Sequence, residues 1–139
     1  MFSRTFAYAL RAMTFIAQES NEDQKVSLEE LATSIQLSPH YLGKIMQELV
    51  RKGFLNSAKG PGGGFWLDKN RSDITIYELL NAVDGDHIVN SCLMGRLKCN
   101  AKNPCPMHDE YLICRDRLIE LMKKTYIKSW NESNMQKLG

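Results

Sequence analysis

Two short capped helices joined by a tight turn, then two apolar runs around a glycine-rich tip, constrain this chain more than any of its totals. The first helix opens at Ser27 with Glu30 three residues on. That spacing predicts a capping box, in which each side chain satisfies a free amide of the first turn. Leu28, Leu31, Ala32 and Ile35 recur at helical spacing and define a buried face. The second helix starts at Ser38, an N-cap, with Pro39 at the first helical position, where its fixed φ is an advantage. Leu42, Ile45, Met46 and Leu49 form its buried stripe, and Gly53 is placed to end it in the left-handed conformation. His40, Tyr41, Gly43, Lys44, Gln47, Glu48 and Arg51 are left facing outward. This is the helix-turn-helix arrangement, whose second helix can enter a major groove.

Phe54-Leu55 and Phe65-Trp66-Leu67 flank Lys59-Gly60-Pro61-Gly62-Gly63-Gly64, which predicts a hairpin with a Pro/Gly tip. A nucleotide-binding P-loop would need Gly-Lys-Ser/Thr opening a helix, whereas Gly64 leads into a strand-like run. Beside a helix-turn-helix, and led by Lys59, the hairpin reads as a wing. The candidate DNA-binding residues are therefore Ser38, His40, Tyr41 and Lys44 on the second helix, with Lys59, Gly60, Pro61, Gly62 and Gly63 on the wing.

The charge distribution agrees. The chain has a net charge of only +2, but Lys44, Arg51, Lys52, Lys59, Lys69 and Arg71 face only Glu48 and Asp68 within residues 38–71. The flanking segments are acidic or balanced, so the positive excess sits where phosphate contacts are needed. Arg4, Arg11 and Gln18 interrupt the N-terminal apolar residues, so no secretory signal is expected, and no run is long enough to span a membrane. The cytoplasm is the expected location, where thiols stay reduced and clustered cysteines hold metal more often than they form disulfides.

Phe2, Phe6, Ala9, Leu10, Met13, Ile16 and Ala17 define one face of an N-terminal helix reaching about Gln18, and a loop follows from Glu19 to Lys25. Thr75 and Glu78 predict a second capping box before Ile76, Leu79, Leu80 and Val83, with Gly85 as the stop. Residues 85–105 lack a helical period. From Pro106 a long helix is expected to run to about Trp130, with Met107, Tyr111, Cys114, Leu118, Leu121 and Thr125 as a heptad-like seam for a partner helix. The fold class is mainly α with a small β hairpin. Residues 1–85 are expected to form the winged helix-turn-helix domain, 86–105 a cysteine-bearing loop, 106–130 a dimerisation helix and 131–139 a frayed tail.

Cys92, Cys99, Cys105 and His108 lie within seventeen residues. Thiolate and imidazole are ligands that zinc and iron–sulfur clusters select, and a helix opening beside Cys105 and His108 favours negative charge there. Cys114 falls in the seam and reads as a small buried hydrophobe. Free cysteines, structural zinc and an iron–sulfur cluster are all compatible with the spacing, although zinc ligands usually come in closer pairs than these. An enzyme is not supported. His108-Asp109-Glu110 matches half of a zinc-deaminase pattern, but no Cys follows Cys105 at the required interval. No catalytic residue and no small-molecule substrate are expected.

Ser38-Pro39-His40-Tyr41-Leu42, Leu49-Val50-Arg51-Lys52-Gly53-Phe54-Leu55 and Lys59 to Phe65 resemble the IscR/NsrR family of bacterial winged-helix transcription regulators. The resemblance runs from the N-terminus to the last long helix. It implies a homodimer bound to a double-stranded DNA operator, and a cluster held by the 92–108 loop as a redox, nitric oxide or iron–sulfur sensor. Cys92, Cys99, Cys105 and His108 match the three Cys and the His of IscR-like members. Lys59 stands where the family usually has Arg, and Lys lacks the planar guanidinium fork. Cys92 and Cys99 are one residue further apart than is common in the family. NsrR-like members take a carboxylate from the first helix of the partner, but no Asp or Glu precedes Glu19 and position 8 is Tyr. The resemblance therefore implies a 2Fe–2S cluster, with 4Fe–4S or zinc remaining open.

Overall fold

Ser3 sets the first helix in place: its hydroxyl accepts the Phe6 amide at 2.9 Å and caps α1 (Arg4–Glu19). The structure, a computed structural model, describes residues 2–68, 70, 71 and 73–129. Phe6, Ala9, Ala12, Met13 and Ile16 turn inward from α1, while Phe2 at the open end stays 40% exposed. Thr14 is also buried, and its hydroxyl donates to the Leu10 carbonyl at 2.8 Å, so the polar group is satisfied within the helix.

At α2 (Leu28–Ile35) the Ser27 hydroxyl accepts the Glu30 amide at 3.1 Å. Gln36 adopts φ 55° to make the tight turn, and Ser38 caps α3 (Pro39–Arg51) by accepting the Tyr41 amide at 3.3 Å. The end of α3 is a Schellman motif. Gly53, at φ 81°, donates to Val50, and Phe54 donates to Leu49 at 2.9 Å. Leu31, Ala32, Ile35, Leu42, Ile45, Met46 and Leu49 are all buried, as their spacing requires.

The hairpin pairs β1 (Asn56–Ala58) with β2 (Gly64–Trp66), antiparallel, with Ser57 opposite Phe65. The first strand begins later than its apolar residues imply. Leu55 is buried and Phe54 packs on the core, so this pair covers the end of α3 and the ladder starts at Asn56. Val26 adds a bridge that the sequence does not signal, exchanging both backbone bonds with Phe65 at 2.9 and 2.7 Å. Gly64 is essential to that crossing. A Cβ there would lie 2.4 Å from the Val26 carbonyl oxygen, and its φ of 151° already disfavours a side chain.

α4 (Ile76–Asp84) forms the full capping box: the Thr75 hydroxyl accepts Glu78 N–H, and the Glu78 carboxylate accepts Thr75 N–H at 2.8 Å. Within the stretch expected to be irregular lies a single helical turn, α5 (His87–Asn90). The last helix, α6 (His108–Lys124), is shorter than the expected 106–130. Beyond it Tyr126 bridges Thr75, Ile76 N–H donates to the Thr125 carbonyl, and Ile127 N–H donates to the Ile74 carbonyl, both at 3.0 Å. Ile127, in a 3-10 turn over Ile127–Ser129, is 1% exposed and packs beside α1. Burying Ile127 and completing those backbone bonds is worth more than one further exposed helical turn. Trp130 and the expected tail lie outside the described residues.

The expected seam is divided accordingly. Met122, absent from the 4-3 pattern, is buried in the common core, and Leu118 packs against it. Met107, Cys114 and Leu121 are exposed on this chain, and Thr125 has left the helix. α6 thus folds back along α4 and keeps an apolar strip outward.

Candidate nucleic-acid interface and cysteine site

Ser38, His40, Tyr41 and Lys44 are exposed along the first half of α3, and Lys59, Gly60, Pro61 and Gly62 are exposed at the wing tip. Gly63 is half-buried, its amide donating to the Gly60 carbonyl at 2.9 Å to close the tip. A groove bordered by Ser27, Glu29 and Gln47 on one side and Ser57, Lys59 and Gly62 on the other separates α2 and α3 from the wing. The proximity of wing and helix comes from the Val26–Phe65 bridge, which ties the hairpin to the residue preceding α2.

Not all the positive charge here is available to a phosphate. Arg51 forms a 2.6 Å ion pair with Glu48, whose carboxyl it holds below its ordinary range, and both side chains are exposed. The Lys52 ammonium donates to the Ala82 carbonyl and staples α3 to α4. Lys69 lies outside the described residues. Arg71 lies over the Phe54 ring, 5.9 Å from its centroid, whereas Lys44 and Lys59 are exposed on α3 and the wing and, among the described residues, form no ion pair.

Tyr41 is positioned differently from its neighbours. Its hydroxyl lies 2.9 Å from the Thr5 hydroxyl on α1, and its ring meets that of Tyr8 edge-on, centroids 5.9 Å apart. Tyr8 on α1 thus packs against α3. Thr5 has no motif around it to single it out. Its only sequence signal is its place one turn before Ala9 on α1.

The cysteine loop folds around its own carbonyls. Cys92 N–H donates to Arg96 O, Gly95 N–H to Cys92 O and Cys99 N–H to Asn90 O, at 2.9–3.1 Å, and His108 N–H donates to Cys105 O at 3.0 Å. Cys92, Cys105 and His108 are each less than one tenth exposed, and Cys99 is half-buried. The Met94 amide, 3.5 Å from Cys92 Sγ, is the largest influence holding that thiol below its usual range, and the Cys105 and Cys99 thiols act in the same direction as neighbours. Burial pushes the Cys99 thiol up, Cys92 adds to the effect, and the Arg115 guanidinium opposes it. The three sulfurs therefore share one environment.

The Nδ1 atom of His108 is buried without a hydrogen-bond partner. Among the described residues no three of the His, Cys, Asp and Glu side chains stand at metal-ligand spacing. Three thiols and a buried imidazole nitrogen with no hydrogen-bond partner fit a soft metal centre in their donor chemistry. Cys114, expected as a small buried hydrophobe in the seam, is instead exposed on α6. Arg115, which the heptad-like spacing does not single out, has a side chain only 17% exposed. Its signal is a charge at position four from Tyr111 and three before Leu118, on the inward face of α6.

The comparisons with known proteins decide the family. The family model described as Rrf2, iron-dependent transcriptional regulator, matches residues 2–131. The chain belongs to the Rrf2 family. This Rrf2 chain is 35% identical over 130 residues to an Aquifex aeolicus chain classed with the HTH-type transcriptional regulators, covering 92% of this chain and 89% of that one. It is 32% identical over 111 residues to Escherichia coli IscR, covering 80% and 67%. Among solved structures it resembles CymR, the global cysteine regulator of B. subtilis, at TM-score 0.75 and 21% identity over 100% of this chain and 98% of that one. T. potens IscR is similar at TM-score 0.68 and 23% identity, covering 99% and 86%. Those two likenesses concern the fold. As a member of the Rrf2 family the chain is a DNA-binding transcriptional regulator and not an enzyme. Among the described residues no helix is long and apolar enough to cross a membrane.

Proposed function

We propose that this Rrf2 regulator acts in the bacterial cytoplasm as a homodimer on a double-stranded DNA operator, and that Cys92, Cys99, Cys105 and His108 hold an iron–sulfur cluster that sets its affinity. The observation that carries the sensing part is the buried His108 Nδ1, which has no hydrogen-bond partner and stands three residues beyond Cys105 in a loop whose Cys92, Cys99 and Cys105 thiols act on one another. The family's description as iron-dependent points the same way. When bound, a cluster supplies a one-electron and oxidation-sensitive centre. Three Cys and one His favour the 2Fe–2S type, and a His ligand is a weaker donor than a fourth thiolate, which suits a centre that must be lost or reduced in response to a signal.

On the DNA side, Ser38, His40, Tyr41 and Lys44 would enter the major groove, and Lys59 with Gly60 to Gly63 would follow the adjacent backbone. The loop is joined to this face through short contacts. Asp84, at the end of α4 where the loop begins, accepts Ser3 N–H at 3.0 Å and the Ser3 hydroxyl, and Ser3 caps the helix whose Thr5 holds Tyr41. Rearrangement of the loop would bias the position of α3 along this path, a shift between operator-competent and less competent dimers.

The alternative is a thiol switch or a zinc site, favoured by thiols that already interact as neighbours without a closed ligand set. Anaerobic purification separates these readings. A visible chromophore with stoichiometric iron and sulfide, and operator affinity that changes when it is removed, supports the cluster. Colourless protein that takes up zinc alone overturns it. A cluster that leaves affinity unchanged for every operator tested leaves a cofactor without a regulatory role.

A further inference from the structure

We propose that Gln47 reads an adenine edge in each operator half-site, a specificity-determining residue beside the contacts assigned above. The inference rests on the DNA-binding reading of α3 and the wing. Along α3 the outward positions His40, Lys44 and Gln47 follow at intervals of four and three residues, so they share one face. The fold divides that face. Lys44 borders a hollow with Thr5, Tyr41 and Val83, where α3 meets α1 and α4. Gln47 instead borders the groove toward the wing and, among the described residues, is the α3 residue that lines it.

Three observations favour a base edge over a phosphate as its partner. Gln47 is exposed, and among the described residues its amide has no hydrogen-bond partner, so its donors and its acceptor are both open. Gly43, one turn earlier on the same edge of α3, brings no side chain into that space. The remaining helix-side wall is Ser27, Leu28 and Glu29. The Ser27 hydroxyl already accepts the Glu30 amide, and Glu29 is an exposed carboxylate with no ion pair among the described residues. A phosphate on this wall would meet a like charge, whereas the exocyclic amino group of a base would be drawn to it. Lys59 stands on the opposite wall, so the backbone belongs along the wing and the base edges toward α3. The groove encloses about 450 Å³, many times what one bridging water needs.

A primary amide sets an acceptor and a donor side by side. Adenine presents the complement in the major groove: its N6 amino group donates to the Gln47 carbonyl, and its N7 accepts from the Gln47 NH2. The amide is uncharged, so this contact adds discrimination without adding to the salt dependence.

The test uses the full chain, purified anaerobically, as wild type, Gln47→Ala and Gln47→Glu. Each enriches duplexes from a randomised pool. Affinities are then measured on the wild-type consensus duplex and on its A·T→G·C and 7-deazaadenine derivatives. Because Gln47 is exposed, both variants should melt as wild type does. Wild type should enrich an adenine at one position of each half-site. Gln47→Ala should lose that preference, about 10–100-fold, while keeping the other positions and the wild-type salt slope. The 7-deazaadenine duplex, which lacks the N7 acceptor, should bind wild type more weakly and Gln47→Ala no differently. Gln47→Glu, which can only accept, should exchange the adenine preference for cytosine. Base preferences in Gln47→Ala equal to those of wild type overturn the proposal and leave the operator reading standing. Weakening of every duplex alike makes Gln47 a phosphate or structural residue, and loss of a preference for another base gives it another partner; both overturn the proposal. Wild type that enriches no sequence removes the operator reading, and the proposal with it.

Discussion

The hydroxyls of Thr5 and Tyr41 lie 2.9 Å apart, joining the first helix of the chain to the recognition helix across thirty-six positions of sequence. Tyr41 is 38% exposed, so one side of its ring is on α1 and the other is open to a groove. If its role is to orient α3, Thr5→Val and Tyr41→Phe should each lower operator affinity by a similar small factor, and the double variant should add little more. A direct base or phosphate contact by the Tyr41 hydroxyl would instead make Tyr41→Phe costly and Thr5→Val silent. Operator titrations of the three variants distinguish these outcomes.

Lys44 and Lys59 are the exposed cations of the candidate interface that, among the described residues, form no ion pair. Lys44→Ala and Lys59→Ala should each weaken binding at all operator sequences alike and reduce the slope of affinity against salt by about one. Arg51→Ala should do less, because its charge is already matched by Glu48 at 2.6 Å. Wild-type slopes in both lysine variants would remove Lys44 and Lys59 from the interface.

On α6 the two leucines of the expected seam have different roles. Leu118 packs on the core of its own chain, whereas Leu121 near the end of α6 is 61% exposed, as Met107 at its start is at 55%. Leu121→Asp should therefore separate the homodimer while leaving the melting behaviour of the monomer nearly unchanged, since it places a charge only in the covered strip. Leu118→Asp should destabilise the chain itself. A stable Leu121→Asp dimer in sedimentation would move the interface elsewhere.

Gly64→Ala forces a Cβ to within 2.4 Å of the Val26 carbonyl oxygen, which is backbone and can yield only if the bridge opens. The expected loss is about 1–3 kcal/mol in denaturant unfolding. It should be accompanied by weaker operator binding, because the wing is freed from α2. Gly62→Ala has a positive φ but open space around it, so its cost should be limited to backbone strain of about 1 kcal/mol. Equal effects at the two positions would show that the bridge does not hold the wing.

The local chemistry of this chain was legible in its sequence, because caps, turns and amphipathic faces depend on residues a few positions apart. Ser27, Ser38 and Thr75 cap the helices expected of them, Gly53 ends α3, and the buried faces of α2 and α3 are the ones their spacing implies. The grouping of Cys92, Cys99, Cys105 and His108 was visible as a cluster in sequence, whereas the backbone bonds that fold the loop on Asn90 and Arg96 were not. What spacing could not convey was competition between partners far apart in the chain. A 4-3 repeat scores Leu118 and Leu121 alike, and only the packing of α6 on α4 sends one inward and leaves the other out. Likewise the repeat continues past Lys124, but Ile127 gains a place in the core and its backbone bonds to Ile74, which a helical register would deny it. Arg115 and Thr5 belong to the same class. The burial of the one and the hydrogen bond of the other arise from groups brought beside them by the tertiary fold, since both are properties of three-dimensional neighbours and not of sequence intervals.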